Sequence, residues 1–264
     1  MNPLRSFGLD VREVRTSHGM SQKGLGHSTG YSESYVSKVE KGAVVPSEKF
    51  ARGCDLAFNT GNLFTRQLMR LLKGDHPSWF VPYLQLERRA SQILDYSNAF
   101  VMGMLQTPAY AGAVFRATHP RESSDVIKGR IEARTRRRDV MERDAPPLLW
   151  VILHEAVLRA VVGGPEVMQA QLEHLLVDTE SPHVTVQVLP FKAGAPAASL
   201  PFNVLSQNDG QSVMYSESRG QGHVTDSAAA VAEAQATYDR LRAAALSPED
   251  SVALIREAME AYTS

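Results

Sequence analysis

The sequence predicts an all-α N-terminal domain of five helices, followed by an α+β domain with a small, mostly antiparallel sheet. Three observations support this fold class. Residues 6–73 carry apolar residues at helical spacing between residues that favour helix ends. After residue 83, short apolar or alternating runs that are typical of strands stand between helical segments. The pattern changes near Gly74, which predicts domains at residues 1–74 and 83–264 joined by a linker at 75–82.

Cap residues mark the ends of the five N-terminal helices. The second, third and fourth helices each begin after a serine whose hydroxyl can accept a hydrogen bond from a free backbone amide: Ser21, Ser32 and Ser47. Glycines stop the first three helices: Gly19, Gly30 and Gly42. A fifth helix is predicted from about residue 63 to residue 72, where apolar residues follow the helical period.

The second domain mixes strands with helices. Continuous or alternating apolar runs predict strands at 93–96, 148–153, 184–189, 202–205 and 213–216. The last two strands form a hairpin around Asp209-Gly210. Helical patterns predict helices at 84–90, 108–115, 124–143, 155–162, 165–177, 227–245 and 248–262.

Charge is distributed unevenly between the two predicted domains. The chain holds 28 Lys and Arg against 29 Asp and Glu, for a net charge of −1. Residues 1–74 hold eleven basic and six acidic residues, a net charge of +5, and the other residues sum to −6. A small basic domain favours a polyanionic partner, whereas the acidic body discourages indiscriminate coating of DNA.

Composition excludes several classes of protein. The hydrophobic share of 43% and the charged share of 22% are those of a globular chain, neither disordered nor fibrous. The single cysteine, Cys54, cannot form an internal disulfide. No apolar run approaches the roughly 20 residues that a membrane helix needs, and residues 1–15 lack the apolar core of a signal peptide. We therefore expect a cytoplasmic protein with no membrane partner.

Residues 20–42 contain two short predicted helices joined by a tight glycine turn. The DNA major groove admits one α-helix, and residues at the N-terminal end of that helix face the base edges. The second of the two helices offers short polar or charged residues for such contacts, while Val36 and Val39 point the other way into the core. Gln22 begins the preceding helix and suits a phosphate contact made together with the helix N-terminus.

This block resembles the helix-turn-helix of lambda-repressor-like regulators of the Cro/cI or xenobiotic-response-element type. The similarity covers residues 6–60 through Ser21-Gln22, Leu25, Gly30, the helix of residues 35–40, Gly42 and Pro46. It implies a regulator that binds double-stranded DNA. Because one recognition helix reads only a few base pairs, we expect a homodimer on two half-sites. The candidate DNA-binding residues are Gln22, Lys23, Ser32, Glu33, Ser34, Tyr35, Ser37, Lys38 and Lys41.

Two glycines of this block differ from the usual family residues, and an acid stands at a position that reads bases. Gly26 stands where the family usually has alanine and still permits close approach of the two helices. Gly24 stands where a helix former is common, and an interior glycine costs about 1 kcal/mol relative to alanine. Glu33 has two readings that the sequence leaves open: it accepts a hydrogen bond from a cytosine amino group, or it is a solvated acid favoured by the helix dipole.

Residues 81–262 show a second resemblance, to the uncharacterised domain that follows the helix-turn-helix in actinobacterial WhiJ-like regulators. It rests on the runs at 104–111, 153–159, 163–165, 186–191 and 213–217. Two departures are His154, where the family usually has Asp, and Met102, where it usually has Pro. The resemblance implies a transcriptional regulator, in some members paired with a small partner protein. We expect the second domain to sense a small-molecule effector or a small protein partner. The alternative is an antitoxin-like interaction module that captures a small partner protein, with DNA binding secondary.

We expect no enzyme, no cofactor and no metal site, because no catalytic constellation is complete. Residues 26–30 match the G-x-S-x-G nucleophile motif but lack the strand that must precede it. His154-Glu155 lacks the second histidine of a zinc helix, so a polar pair that orients a loop is the simpler reading. Cys54 is interpreted as a core residue.

Two segments keep two interpretations each. The basic run at 128–143 is either a solvated helix face with pairs such as Glu132–Arg136, or an auxiliary surface for DNA or an acidic partner. The helix at 227–245 has an apolar face that is either core or a dimer seam, and that face comprises Val231, Ala234, Tyr238, Leu241 and Ala245.

Overall fold

The computed structural model describes residues 3–44, 46–73, 80–218 and 221–262, and of residues 3, 4 and 70–73 it describes the backbone alone. The chain divides into two compact units, Met1–Gly74 and Asp75–Ser264. Of the expected linker, residues 75–79 lie outside the described part. Residues 80–82 belong to the folded second unit, because Phe80 is buried and Val81 begins a helix.

The described part of the first unit is helical throughout its regular structure, as the sequence predicted. Its helices are α1 (Pro3–Ser17), α2 (Gln22–Thr29), α3 (Glu33–Glu40), α4 (Glu48–Phe58) and α5 (Leu63–Lys73). Ser21, Ser32 and Ser47 each accept a hydrogen bond from the backbone amide three residues on, which confirms the three predicted caps. Gly30 ends α2 in the left-handed conformation at φ 77°, a value that glycine adopts without strain.

A single apolar core holds these helices together. Its fully buried side chains come from every helix of the unit and include Val11, Leu25, Val36, Val39, Phe50, Cys54, Phe64 and Leu68. The ring of Phe7 meets that of Phe64 edge-on, with centroids 5.9 Å apart, so α1 packs against α5. The prediction that Val36 and Val39 point inward is confirmed.

The second unit has an α+β architecture, which confirms the predicted class. Its described helices are α6 (Val81–Glu87), α7 (Pro108–Thr118), α8 (Ser124–Thr135), α9 (Ala156–Arg159), α10 (Pro165–Asp178), α11 (Ala228–Ala244) and α12 (Pro248–Glu260). Its described strands are β1 (Ala90–Ser97), β2 (Leu148–His154), β3 (Val184–Leu189), β4 (Phe202–Gln207), β5 (Ser212–Ser218) and β6 (Gln221–Thr225).

The described strands form one mixed, mostly antiparallel sheet in the order β3-β2-β1-β4-β5-β6. β1, β2 and β3 run parallel, with helices in the connections between them, while β4, β5 and β6 form an antiparallel meander beside β1. Alternation along β2 shows how both faces are buried. Val151 packs in the larger core with α10 and α12, and Ile152 packs in a second core beneath α11.

The apolar face of α11 is core. Val231, Ala234, Tyr238 and Leu241 are all buried against the sheet within one chain, and the Tyr238 hydroxyl donates to the Trp150 carbonyl at 2.7 Å. This burial removes the alternative of a dimer seam on that face.

Several element boundaries differ from the sequence prediction, and one strand was missed. Ala90 begins β1 and does not end a helix. The helix expected at 124–143 stops at Thr135 and continues as a 3₁₀ helix over Arg136–Val140, in which Arg137 and Arg138 bind Glu87 and Asp178. β6 was missed because its sequence, QGHVT, has neither an apolar run nor alternation; pairing with β5 orders it.

Candidate nucleic-acid interface

The turn between α2 and α3 brings the two helices into unusually close contact. A Cβ atom placed on Gly26 would lie only 2.6 Å from the carbonyl oxygen of Tyr31, well inside any real contact distance. Gly26 therefore accommodates the backbone of the turn, and here a glycine is required where the resembled family uses alanine. A Cβ on Gly24 would meet nothing nearer than Ser21 Oγ at 3.4 Å.

Helix α3 has one buried and one exposed face. Val36 and Val39 are at most 1% exposed and fix the helix to the core. The opposite face presents exposed side chains at its N-terminal end and along its length, namely Ser32, Glu33, Ser34 and Lys38. Ser37 is half-buried, and Lys23 on α2 and Lys41 after α3 are exposed. The structure thus brings most of the predicted residues onto accessible positions, while their contacts with DNA remain a prediction.

A buried ion pair fixes the end of α3 to α1 and α2. Arg15 Nε donates to Glu40 Oε1 at 2.5 Å and Nη2 donates to Oε2 at 3.1 Å, while Nη1 donates to the Met20 carbonyl at 2.6 Å. Gln22 Nε2 donates to Glu40 Oε2 at 2.7 Å. Gln22 therefore has an internal partner, and its phosphate contact remains a prediction. Sequence reasoning missed this cluster because Arg15 and Glu40 are 25 residues apart.

Tyr35 also makes contacts within the unit. Its ring stacks on Tyr31, with centroids 4.4 Å apart, and meets Phe50 edge-on at 5.4 Å. Its hydroxyl oxygen accepts a hydrogen bond from the backbone amide of Ser47 at 3.0 Å. Tyr35 thereby links the start of α3 to the start of α4, a positioning role that its assignment as a DNA contact did not anticipate.

Ser32 and Glu33 occupy the first turn of α3. The Ser32 hydroxyl accepts from the Tyr35 amide at 3.1 Å, so it caps the helix while it stays exposed. Glu33 is exposed and lies where the helix dipole favours an acid. This position suits both readings of Glu33, which therefore stay open.

Comparison with known families assigns both parts of the chain. Residues 80–257, more than half of the chain, match a family described as a domain of unknown function, DUF5753. The chain belongs to the DUF5753 family. Residues 6–61 match a family described as a helix-turn-helix domain, so that part of the first resemblance is confirmed. No curated protein and no solved structure matches the chain. The helix-turn-helix domain supports a DNA-binding regulator.

The basic run of the DUF5753 domain faces largely inward. Arg130 binds Glu122 through two hydrogen bonds of 2.7 and 2.6 Å, and Arg137 binds Glu87 through two of 3.0 and 2.6 Å. Other arginines of the run do the same: Arg138 pairs with Asp178, and Arg143 donates to the carbonyls of Arg88 and Ala90. The interpretation of this run as a solvated helix face is therefore wrong for these arginines, because their donors are engaged within the domain.

The remaining short motifs have structural explanations. Ser28 of the G-x-S-x-G match lies inside α2 and donates to the Gly24 carbonyl. His154 ends β2, and Glu155 Oε2 accepts from the Phe191 amide at 2.9 Å, which confirms that this pair orients the segment after β3. Cys54 is fully buried, and burial raises the pKa of its thiol to about 12, so it is a core residue.

The described residues contain neither a cluster suited to a metal ion nor a helix suited to a membrane. Across residues 3–44, 46–73, 80–218 and 221–262, His, Cys, Asp and Glu nowhere gather in threes with the geometry of a metal site. In the same part of the chain, no helix has both the length and the apolar character needed to cross a membrane.

Proposed function

We propose that this protein is a sequence-specific transcriptional regulator of the lambda-repressor-like, WhiJ-like kind, which works in the cytoplasm as a homodimer. The observation that carries the proposal is that α3 has one buried apolar face and one exposed polar face. Its apolar side is fixed by Val36, Val39 and the Glu40 ion pair, while the polar N-terminal end is accessible. A rigid helix with an accessible N-terminal end suits major-groove reading.

A dimer is part of the proposal because one recognition helix reads few base pairs. Two copies on half-sites about 34 Å apart would supply an operator-length sequence. The α11 face packs on the sheet within one chain, so the contact between copies uses another surface.

The basic side chains around α3 supply the electrostatic part of DNA binding. Lys23, Lys38 and Lys41 are exposed, and lysines that neutralise phosphates release counterions, which makes affinity fall with salt. Ser34 is exposed near the start of the helix and has the size of side chain that contacts base edges.

The test begins with selection of bound sequences from genomic DNA by the full chain. Ser34→Ala should relax selectivity and weaken specific binding, and the double variant Ser34→Ala/Lys38→Ala should bind the selected site at least about tenfold more weakly. Lys128→Ala removes an exposed lysine of the DUF5753 domain and is the matched control. It should bind the selected site as tightly as the wild type does. Wild-type affinity in the double variant would refute the assignment of α3.

The DUF5753 domain would supply the sensing function. Of the two occupants considered, a small-molecule effector or a small protein partner, the effector is favoured because the domain contains a cavity of about 760 Å³. Cavities of about 300–1,000 Å³ are typical of small-molecule sites.

A further inference from the structure

The cavity of the DUF5753 domain lies beside the middle of the sheet. Its wall combines β1, β4 and β5 with the segment of residues 97–106, α7 and the α8 region. Five phenylalanine and tyrosine residues line it: Phe80, Tyr83, Phe100, Phe115 and Tyr215. Tyr83 and Tyr215 have ring centroids 4.3 Å apart, and Phe100 is 39% exposed although it lines the cavity. A flat apolar ring would find aromatic partners on several sides.

Arg134 differs from the other two arginines that line this cavity. Arg130 is paired with Glu122, and Arg137 is paired with Glu87. Arg134 has no carboxylate within ion-pair distance among the described residues. Its one hydrogen bond to a described residue runs from Nη1 to the Gln106 side-chain oxygen at 3.0 Å, and its Nε is buried without a partner.

The setting of Arg134 makes its unpaired charge costly. Its guanidinium lies over the Phe115 ring at 4.2 Å from the centroid. Burial, and next the nearby charge of Arg137, lower the pKa of Arg134 to about 10, so the cation is destabilised yet still protonated at neutral pH. An anion in the cavity would stabilise this guanidinium by Coulomb attraction and by accepting the hydrogen bonds that it does not make within the protein.

The carboxyl groups of the wall already have donors of their own. Asp95 accepts from Ser97 Oγ at 2.7 Å and from the Asn203 amide. Glu217 is exposed and accepts from the Tyr215 hydroxyl at 2.7 Å. Neither carboxyl lies within ion-pair distance of Arg134 in the described structure. The charge of Glu217 raises the pKa of Arg134 from a distance, but the buried Nε of Arg134 has no acceptor, so the guanidinium has capacity for an external anion.

We propose that this cavity binds a small aromatic molecule that bears a carboxylate or a phosphate, with the anionic group on Arg134 and the ring against the aromatic wall. The proposal names the ligand class for the sensing role suggested above, and as a regulatory site it rests on the proposed function. Binding itself does not depend on that function, because it can be measured without DNA.

The test compares anionic and neutral probes of the same shape on the full chain. Calorimetry would measure binding of 2-naphthoate, 2-naphthyl phosphate and the neutral 2-naphthamide. We expect one or both anions to bind at least about tenfold more tightly than the amide, because a charge-assisted pair with a buried guanidinium is worth at least that factor. The stronger of the two anions identifies the class of the natural group.

Two variants assign the preference to Arg134. R134Q should lose the anion preference and keep binding of the amide, whereas R134K should keep part of the preference. R136Q, which removes an exposed arginine two residues away, is the matched control and should behave as the wild type does. Three results would overturn the proposal: binding of neither anion at millimolar concentration, equal binding of anion and amide, or an anion preference that survives in R134Q.

A separate measurement with selected DNA distinguishes failure of the two proposals. If the preferred anion binds but the chain shows no sequence-specific DNA binding, the proposed function fails and the cavity assignment stands. If DNA binds specifically but the anion preference is absent, the cavity assignment fails alone. A shift in DNA affinity of equal size at saturating anion in the wild type and in R136Q, absent in R134Q, would connect the two.

Discussion

Two basic segments of this chain differ in the exposure and pairing of their side chains. Around α3, the ammonium-bearing side chains Lys23, Lys38 and Lys41 are exposed. In the DUF5753 domain, the arginines of residues 130–143 largely face inward and bind carboxylates and backbone carbonyls. Both segments have a positive local charge in the sequence. A positive run therefore does not by itself indicate a nucleic-acid surface.

The chemistry of the two cations explains the difference. The planar guanidinium of arginine donates two parallel hydrogen bonds to one carboxylate, as Arg137 does to Glu87, so it can be buried as a pair. The ammonium of lysine is a compact and strongly hydrated charge that stays at the surface. The lysines around α3 are thus available to phosphates, while the inward arginines stabilise their own domain.

The largest expected effect comes from breaking one of the inward pairs. Glu87→Gln leaves Arg137 buried without a counter-charge, because the Glu87 side chain is only 1% exposed and its partner 10%. Loss of one partner of such a pair costs about 3–5 kcal/mol. Urea unfolding followed by the fluorescence of the two tryptophans, both of which belong to the second unit, and by circular dichroism would measure this loss. Glu132→Gln, at an exposed site of the same domain, is the control; equal losses in the two variants would mean that the inward pair contributes nothing.

The next effect concerns a buried acid in the same domain and depends on pH. Burial raises the pKa of Asp95 from 3.8 to about 6, although hydrogen bonds from Ser97 and Asn203 oppose the rise. Asp95 therefore stays protonated to a higher pH in the native state than in the unfolded state. Its contribution to the free energy of unfolding falls as pH rises from about 4 to 6.

Asp95→Asn removes that titration. Relative to the wild type, its free energy of unfolding should improve between pH 4 and pH 7.5, by up to about 3 kcal/mol. A constant offset from the lost carboxylate acceptor does not alter this trend. Paired urea titrations at the two pH values would measure it, and a difference that does not change with pH would exclude an abnormal Asp95.

Within the helix-turn-helix, two glycines should respond with opposite signs. Gly26→Ala forces a methyl group against the Tyr31 carbonyl and should destabilise the first unit by about 1–3 kcal/mol. Gly24→Ala adds its methyl group at an ordinary contact distance from Ser21 Oγ and should stabilise α2 by up to about 1 kcal/mol. Hydrogen exchange of the α2 amides would measure both. Stabilisation by Gly26→Ala would show that the close approach at the turn is not real.

The sequence was sufficient where the signal is local. The three serine caps and the Gly30 turn follow from side-chain chemistry within a few residues, and so α2 and α3 were placed nearly to the residue. The same holds for β2, whose apolar run reflects burial on both faces of the sheet.

Sequence reasoning failed where partners lie far apart along the chain. Arg137 and Glu87 are separated by 50 residues, and nothing near either one signals the pair. The cavity likewise joins residues from Phe80 to Glu217, so no local pattern marks Arg134 as its unpaired cation. The exposed character of α3 could be predicted because its own alternation of valine and polar residues defines its faces.

The contrast between the exposed lysines and the inward arginines can be tested by the salt dependence of binding to selected DNA. Lys38→Ala should reduce the slope of log affinity against log salt by about 1, since one phosphate contact is lost. Arg136→Ala, which removes an exposed arginine from the basic run at residues 128–143, should leave the slope unchanged. An unchanged slope in Lys38→Ala together with a reduced slope in Arg136→Ala would contradict the account, because the second basic segment would then contact DNA.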